Sequence, residues 1–181
     1  MKRTVFVLAF LCVGALVFAQ KKITTSATIN FDATTNLNAM AKAENKTVVA
    51  AIELRSGGIA FEAVMKSFSF SNPMMQDYFN GDSWLETDKF QTSTFKGKII
   101  NLAAINFVKD GTYPAEVAGD LTIHGITKQL ATAGSVIING KAIAINATFT
   151  IKLEDYGIKG KAIEVGKVAK EPKITVEAEF K

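Results

Sequence analysis

Cysteine and histidine are almost missing from this 181-residue chain, with Cys12 and His124 the only examples. One cysteine cannot close an intramolecular disulfide, and one histidine beside it falls short of the ligand sets of ordinary zinc sites. Cys12 also lies inside an uncharged apolar run, Val5 to Phe18, which follows Lys2 and Arg3 and ends at Val17-Phe18-Ala19 before Gln20. A basic start, an apolar middle and a small residue at the end are the layout of a secretory signal peptide, with cleavage expected after Ala19. The run is shorter than the ~20 apolar residues that a bilayer span needs, which argues against an anchor helix. Phe10 and Leu11 precede Cys12 where a lipoprotein cleavage box would have small residues, which argues against a lipid-anchored form. On this division residues 1–19 are a signal peptide and residues 20–181 one cysteine-free domain, periplasmic or secreted. Its stability has to come from an ordinary core, and it is long enough to bury one.

Charge bias is also lacking. Without Lys2 and Arg3, 19 basic residues face 17 acidic ones, and both signs are spread along the chain. Nucleic-acid binding calls for a clustered basic stripe, so no nucleic-acid partner is expected. No linker or low-complexity segment divides residues 20–181, and no second long apolar run offers a membrane span. Nothing in the pattern calls for an oligomer.

What the chain does have is apolar alternation with a period of two. Ile143, Ile145, Ala147, Phe149, Ile151 and Leu153 alternate with Ala144, Asn146, Thr148, Thr150, Lys152 and Glu154. A strand gathers the first six on one face, whereas a helix would scatter them. Shorter alternations run through Ala27/Ile29/Phe31, Val48/Ala50/Ile52/Leu54, Ile59/Phe61, Phe68/Phe70, Phe95/Gly97/Ile99, Val117/Gly119/Leu121/Ile123 and Ile174/Val176/Ala178/Phe180. Between Phe61 and Phe68 the phase slips by one residue, which predicts a bulge or bend. Ser56-Gly57-Gly58, Asp110-Gly111 and Asn139-Gly140 mark turns, the last being a hairpin signal. Repeated strands with short turns predict an antiparallel all-β sandwich or barrel.

One segment departs from the alternation. Asn72 can cap a helix whose first turn holds Pro73, and i,i+4 spacing would then set Met74 by Tyr78 and Met75 by Phe79. Trp84, Leu85 and Phe90 follow, a connection unusually rich in large apolar groups. It is expected to cover one end of the barrel, either as a satellite core or as a pliable mouth lined by methionine and aromatics.

Four segments occur in a telling order. Thr28-Ile29-Asn30-Phe31 leads to Gly58-Ile59-Ala60-Phe61-Glu62 and Ser67-Phe68-Ser69-Phe70-Ser71-Asn72. Trp84-Leu85-Glu86-Thr87-Asp88-Lys89-Phe90 then precedes Ser93-Thr94-Phe95-Lys96-Gly97. Next comes Gly119-Asp120-Leu121-Thr122-Ile123-His124-Gly125-Ile126-Thr127-Lys128, and last Phe149 to Ile158 with Asp155-Tyr156-Gly157-Ile158. This succession resembles the YceI-like family of secreted bacterial lipid-binding proteins, most specifically at Leu121 to Lys128. Gln91 departs from the family's usual proline after the aromatic, and Asp77-Tyr78-Phe79 from a helix pattern that often includes histidine. The resemblance implies a lipocalin-like, eight-stranded antiparallel barrel with a short helix between strands. It also implies an apolar ligand inside, a polyisoprenoid, quinone or similar long lipid, and no other cofactor or metal.

A barrel of about eight strands has room for packed side chains or for one small ligand. The small inward positions Ala27, Ala50, Gly97, Gly119, Ala147 and Ala178 are expected to leave space. The residues expected at the cavity or its mouth are Phe68, Phe70, Met75, Phe79, Trp84, Phe90, Phe95, Leu121, Ile123 and Phe149. The competing expectation is a filled barrel serving as a structural or interaction protein.

A hydrolytic enzyme is the weaker reading. An acyl-transfer triad would have to use His124, which alternation places with Thr122 on the face opposite Leu121 and Ile123. Its ring is expected to shape the turn that Gly125 permits. Glu154 and Asp155 would point to opposite faces of a strand, and Asp82, Glu86 and Asp88 sit in a polar corner expected to be solvated. Asn80-Gly81-Asp82-Ser83 is too short and too poor in ligands for a calcium loop.

Overall fold

The computed structural model describes residues 21–181, so the signal-peptide reading of residues 1–19 lies outside the described residues. Nine strands make up one antiparallel sheet: β1 (Lys21–Asp32), β2 (Lys42–Glu53), β3 (Gly58–Val64), β4 (Ser69–Phe70), β5 (Thr92–Ile99), β6 (Gly111–Ile123), β7 (Ile126–Asn139), β8 (Ala142–Thr150) and β9 (Lys173–Phe180). The spatial order is β1-β9-β8-β7-β6-β5-β3-β2-β4, and β1 also pairs with β2. That last pairing closes eight strands into a barrel and leaves two-residue β4 as an addition to β2. Closure removes the free edges an open sheet would present.

The barrel has two unlike ends. At one, Ile52, Ile99, Val136, Ile138, Ile143 and Phe180 come from five strands, and each is at most 3% exposed. These side chains fill that half. At the other, α1 (Pro73–Asn80) and the corner 81–91 fold across the opening. The Asn72 side chain accepts a hydrogen bond from the Met74 N–H at 2.9 Å, and Pro73 occupies the first turn, so the helix starts where the sequence expects it. Thr87, fully buried, holds the corner back on the helix end, its Oγ1 donating to the Asn80 carbonyl at 3.2 Å.

Two places in the strand map are made definite by the structure. The phase slip between Phe61 and Phe68, where a bulge or bend was expected, is a 3-10 turn, Met65–Ser67. The bulges lie in β1, whose pairing with β2 shifts between Thr24, Ala27 and Ile29. Opposite them Asn45 of β2 is fully buried with its amide satisfied: Nδ2 donates to the Val64 carbonyl, and Oδ1 accepts from the Thr47 N–H. The strand read through Leu153 stops at Thr150, and a 3-10 turn, Leu153–Tyr156, follows. Ile151 and Leu153 stay buried because the chain curls inward across the barrel end.

The β5–β6 seam depends on glycine. Gly97 and Gly119 are directly paired, and a Cβ on Gly119 would lie 2.4 Å from both Gly97 Cα and the Lys96 carbonyl oxygen. A Cβ on Gly97 would stand 2.6 Å from Cζ of Phe95, whose ring lies along the strand in the room the glycine leaves. No helix among the described residues is long and apolar enough to cross a membrane.

Candidate functional site

Between the packed end and the aromatic cap lies a cavity of about 140 Å³. Its wall runs round the barrel, with Ile29 and Phe31 from β1, Phe61 from β3, Phe95 from β5, Leu121 and Ile123 from β6, Leu130 from β7, Phe149 from β8, and Ile174 and Val176 from β9. Ile59, Val117 and Ile145 are set deeper along their strands. No charged side chain lines it. The hydroxyl-bearing residues in the wall are Ser93, Thr94 and Thr132. Ser93 Oγ bonds the Met65 sulfur at 3.0 Å, and Thr132 Oγ1 donates to the Ala133 carbonyl at 3.2 Å.

Seven of the ten residues expected at the cavity or mouth stand in this wall: Phe68, Phe79, Trp84, Phe95, Leu121, Ile123 and Phe149. Phe70, Met75 and Phe90 do not. Phe70 sits on β4 outside the wall, its ring 5.0 Å from that of Phe79, so it backs the cap. Met75 is half-buried on α1, and Phe79, one turn later, is the side chain that reaches inward. Phe90 turns to His124, ring centroids 4.2 Å apart, and Lys89 Nζ lies 4.7 Å from the Phe90 ring centroid.

Of the small residues expected to leave space, only Ala147 borders the cavity. Ala27, Ala50 and Ala178 are at most 2% exposed within the packing, and the two seam glycines serve backbone approach and the Phe95 ring. The wall also includes Ile151, Leu153 and Ile158. The strand reading carried the first two inward for a different reason and gave no signal for Ile158.

The cap is a cluster of aromatic rings. Phe79 is 2% exposed and lies 5.0 to 5.9 Å from Phe31, Phe68, Phe70 and Trp84. Trp84 also stands 5.6 Å from Tyr78 and 6.1 Å from Phe31. Edge-to-face and tilted contacts of this kind add to simple burial.

His124 holds the cap from outside. With Gly125 it forms the two-residue β6–β7 turn, both with positive φ (52° and 72°), the geometry that suits strand twist. A Cβ at Gly125 would lie 2.7 Å from the Phe90 ring. The His124 ring reaches beyond its own turn, which corrects the expected role: Nδ1 donates to the Tyr156 carbonyl at 3.1 Å, and Nε2 lies 3.0 Å from Glu86 Oε2. Three segments distant in sequence are thereby joined. Glu86, expected to be solvated, is a partner in this clamp and has a left-handed backbone (φ 44°). Replacing His124 with alanine removes both bonds, strands the carbonyl and puts a β-carbon residue of low left-handed tolerance in the turn. A loss of about 2 kcal/mol in chemical denaturation is expected, with a smaller loss for His124→Asn, which tolerates positive φ.

Elsewhere the titratable groups are unremarkable for catalysis. Glu154 and Asp155 are both exposed on the 3-10 turn. Burial, helped by Asp155, raises the Tyr156 hydroxyl above its ordinary range, so it stays neutral. Hydrogen bonds from the Thr34 hydroxyl and N–H lower Asp32, which pairs in register with Lys42 and Lys173. Among the described residues no three His, Asp or Glu side chains converge as metal ligands.

Comparison with known proteins finds a family profile, described as a YceI-like domain, matching residues 15–180. A UPF0312 protein of Pseudomonas putida (strain W619) is 41% identical over 56 residues, 28% of this chain and 29% of that protein. A UPF0312 protein of Pseudomonas savastanoi pv. phaseolicola is 29% identical over 98 residues, 50% of this chain and 47% of that protein. The chain thus spans less than half the length of these curated relatives in the matched regions. Among solved structures, a polyisoprenoid binding domain from Saccharophagus degradans, implicated in plant cell wall breakdown, superposes with a TM-score of 0.74 at 13% identity, covering 89% of this chain and 97% of that one. BcnA of Burkholderia cenocepacia superposes with a TM-score of 0.71 at 17% identity, covering 84% and 95%. At these identities the likeness is one of fold.

Proposed function

The chain belongs to the YceI-like family, and on that premise we propose that it binds a polyisoprenoid, quinone or similar long apolar lipid in the capped half of its barrel. It carries or sequesters that lipid without catalysis, in the periplasm or outside the cell. The observation behind this reading is a cavity whose wall is almost wholly hydrocarbon and aromatic rings, with no charged group on it.

Such a wall favours a ligand with little polar surface. Each methylene-sized group removed from water contributes about 0.8 kcal/mol, so one five-carbon isoprene unit contributes several kcal/mol before the cost of ordering the chain. The free volume of about 140 Å³ is of the size that takes up a benzene-sized hydrocarbon. In this closed form it therefore suits a short stretch of chain, and a longer one needs the aromatic cap to part. The elements that would part are α1 and the corner 81–91, which cross the opening without joining the barrel ladder.

Protein purified from its own host under mild conditions, then examined by native mass spectrometry and solvent extraction, tests the proposal. An apolar lipid bound in near one-to-one ratio is expected. Protein that is always empty, and that takes up no fifteen-carbon isoprenoid when offered one, overturns it. The Saccharophagus structure of the same fold is a polyisoprenoid binding domain, which supports the choice of ligand class.

A further inference from the structure

The connection between β1 and β2, Ala33 to Ala41, holds no charged residue, and it presents Leu37 at 69% exposure and Met40 at 49%. Its tip is a closed turn, in which Thr35 and Asn38 exchange backbone bonds of 3.0 and 3.1 Å. Beside it runs α2 (Lys161–Glu164), and the turn that follows carries Val165 at 48% exposure. The two segments touch. The Ala169 N–H donates to the Ala33 carbonyl at 2.9 Å, and a Cβ on Gly166 would lie 3.7 Å from Leu37 Cδ1. Exposed apolar side chains standing singly are ordinary, but three on two touching turns make a patch. Lysines flank it. Between residues 159 and 171, Lys159, Lys161, Lys167 and Lys170 face only Glu164 and Glu171. All four lysines are exposed, and none is in an ion pair among the described residues. Of the acids in the corner 81–91, Glu86 is engaged with His124 and Lys89, and Asp88 with Lys66.

We infer that this patch is a docking surface for an anionic lipid bilayer, in which Leu37, Met40 and Val165 enter the headgroup layer while the lysines beside them meet lipid phosphates. This deepens the lipid-binding reading, on which the choice of a bilayer rests: a long apolar lipid resides in membranes and has to be taken from one or delivered to one. Apolar insertion and lysine attraction add at an anionic surface, and this patch offers both. The β1–β2 and β8–β9 connections lie at the same end of the barrel as α1 and the corner 81–91. A docked barrel therefore turns its capped opening towards the bilayer. A protein partner fits less well, since a stable protein interface takes about 20–30 residues a side and the apolar contact here comes from two turns.

Co-sedimentation with vesicles tests this, using phosphatidylcholine alone and a two-to-one mixture with phosphatidylglycerol. Protein purified from its own host is expected to bind the mixed vesicles and to bind the neutral ones about fivefold more weakly or less. Leu37→Glu, and separately Lys161→Glu with Lys167→Glu, are each expected to weaken binding to mixed vesicles roughly tenfold. Val108→Glu is the control, because Val108 is 94% exposed but lies in the β5–β6 connection at the packed end. It is expected to change binding less than about twofold. Equal loss in Val108→Glu marks general stickiness and overturns the inference, as does a wild type that binds neither vesicle. Self-association that Leu37→Glu abolishes, without vesicle binding, would place a second copy on the patch and overturn it too. Leu37, Lys161 and Lys167 stand outside the cavity wall, so these variants are expected to take up a fluorescent apolar probe from solution as the wild type does. Loss of probe uptake alongside vesicle binding would assign the effect to the barrel and overturn the docking surface. A wild type that binds vesicles yet is always empty on extraction overturns the proposed function and leaves the docking surface standing.

Discussion

Phe79→Ala is expected to lose about 3–5 kcal/mol of folding stability, the range for truncating a fully buried phenylalanine. Phe79 touches four other aromatic residues at once and is the side chain through which α1 plugs the barrel. Removing it cancels those ring contacts and merges the void with the cavity, so the helix also loses its anchor. Urea denaturation measures the loss, and a fluorescent apolar probe should leave the variant faster than the wild type. If the helix were a loose lid with little share in the core, the cost would be below about 1 kcal/mol and only the exit rate would change.

Gly119→Ala is expected to cost at least about 3 kcal/mol, at the upper end of what overpacking does. The added Cβ would meet backbone on both counts, Gly97 Cα and the Lys96 carbonyl oxygen at 2.4 Å, and neither can rotate aside. Strands β5 and β6 must part there, and in a closed barrel the displacement is passed to neighbours on both sides. Gly140→Ala is the matched control: it has positive φ but nothing within 4 Å of the new carbon, so its cost is limited to the about 1–2 kcal/mol of a left-handed alanine. Thermal or chemical denaturation of the pair separates steric strain at the seam from backbone conformation. Equal losses would contradict the seam account.

Strand faces were the most legible part of the chain, because a period of two is written in every strand that keeps hydrocarbon on one side. β8 shows this with Ile143, Ile145, Ala147 and Phe149. β7 escaped the same reading although it is the longest strand at 14 residues. Thr132 and Gly134 occupy inward positions between Leu130 and Val136, and they dilute the pattern. The 3-10 turn at Met65–Ser67 keeps Met65 buried while advancing the phase, which alternation alone cannot tell from a bulge.

The site was legible in composition more than in geometry. Large apolar residues between Phe68 and Phe95 signalled a covered barrel end, but the choice among them depended on tertiary direction. Phe90 is as aromatic as Phe79, yet it packs on His124 outside the wall. The partners of His124 lie 32 and 38 residues away, and only the closed fold brings them to one ring.

Ala147 borders the cavity, and a phenyl ring placed there would occupy a space of the size that holds one benzene. Native mass spectrometry of wild-type protein and Ala147→Phe, each purified from the original host, tests the central claim most directly. Wild type retaining an apolar lipid, and a folded Ala147→Phe retaining little or none, is the predicted result. Equal lipid content in both proteins, or none in either, would contradict the claim that this half of the barrel is the binding site.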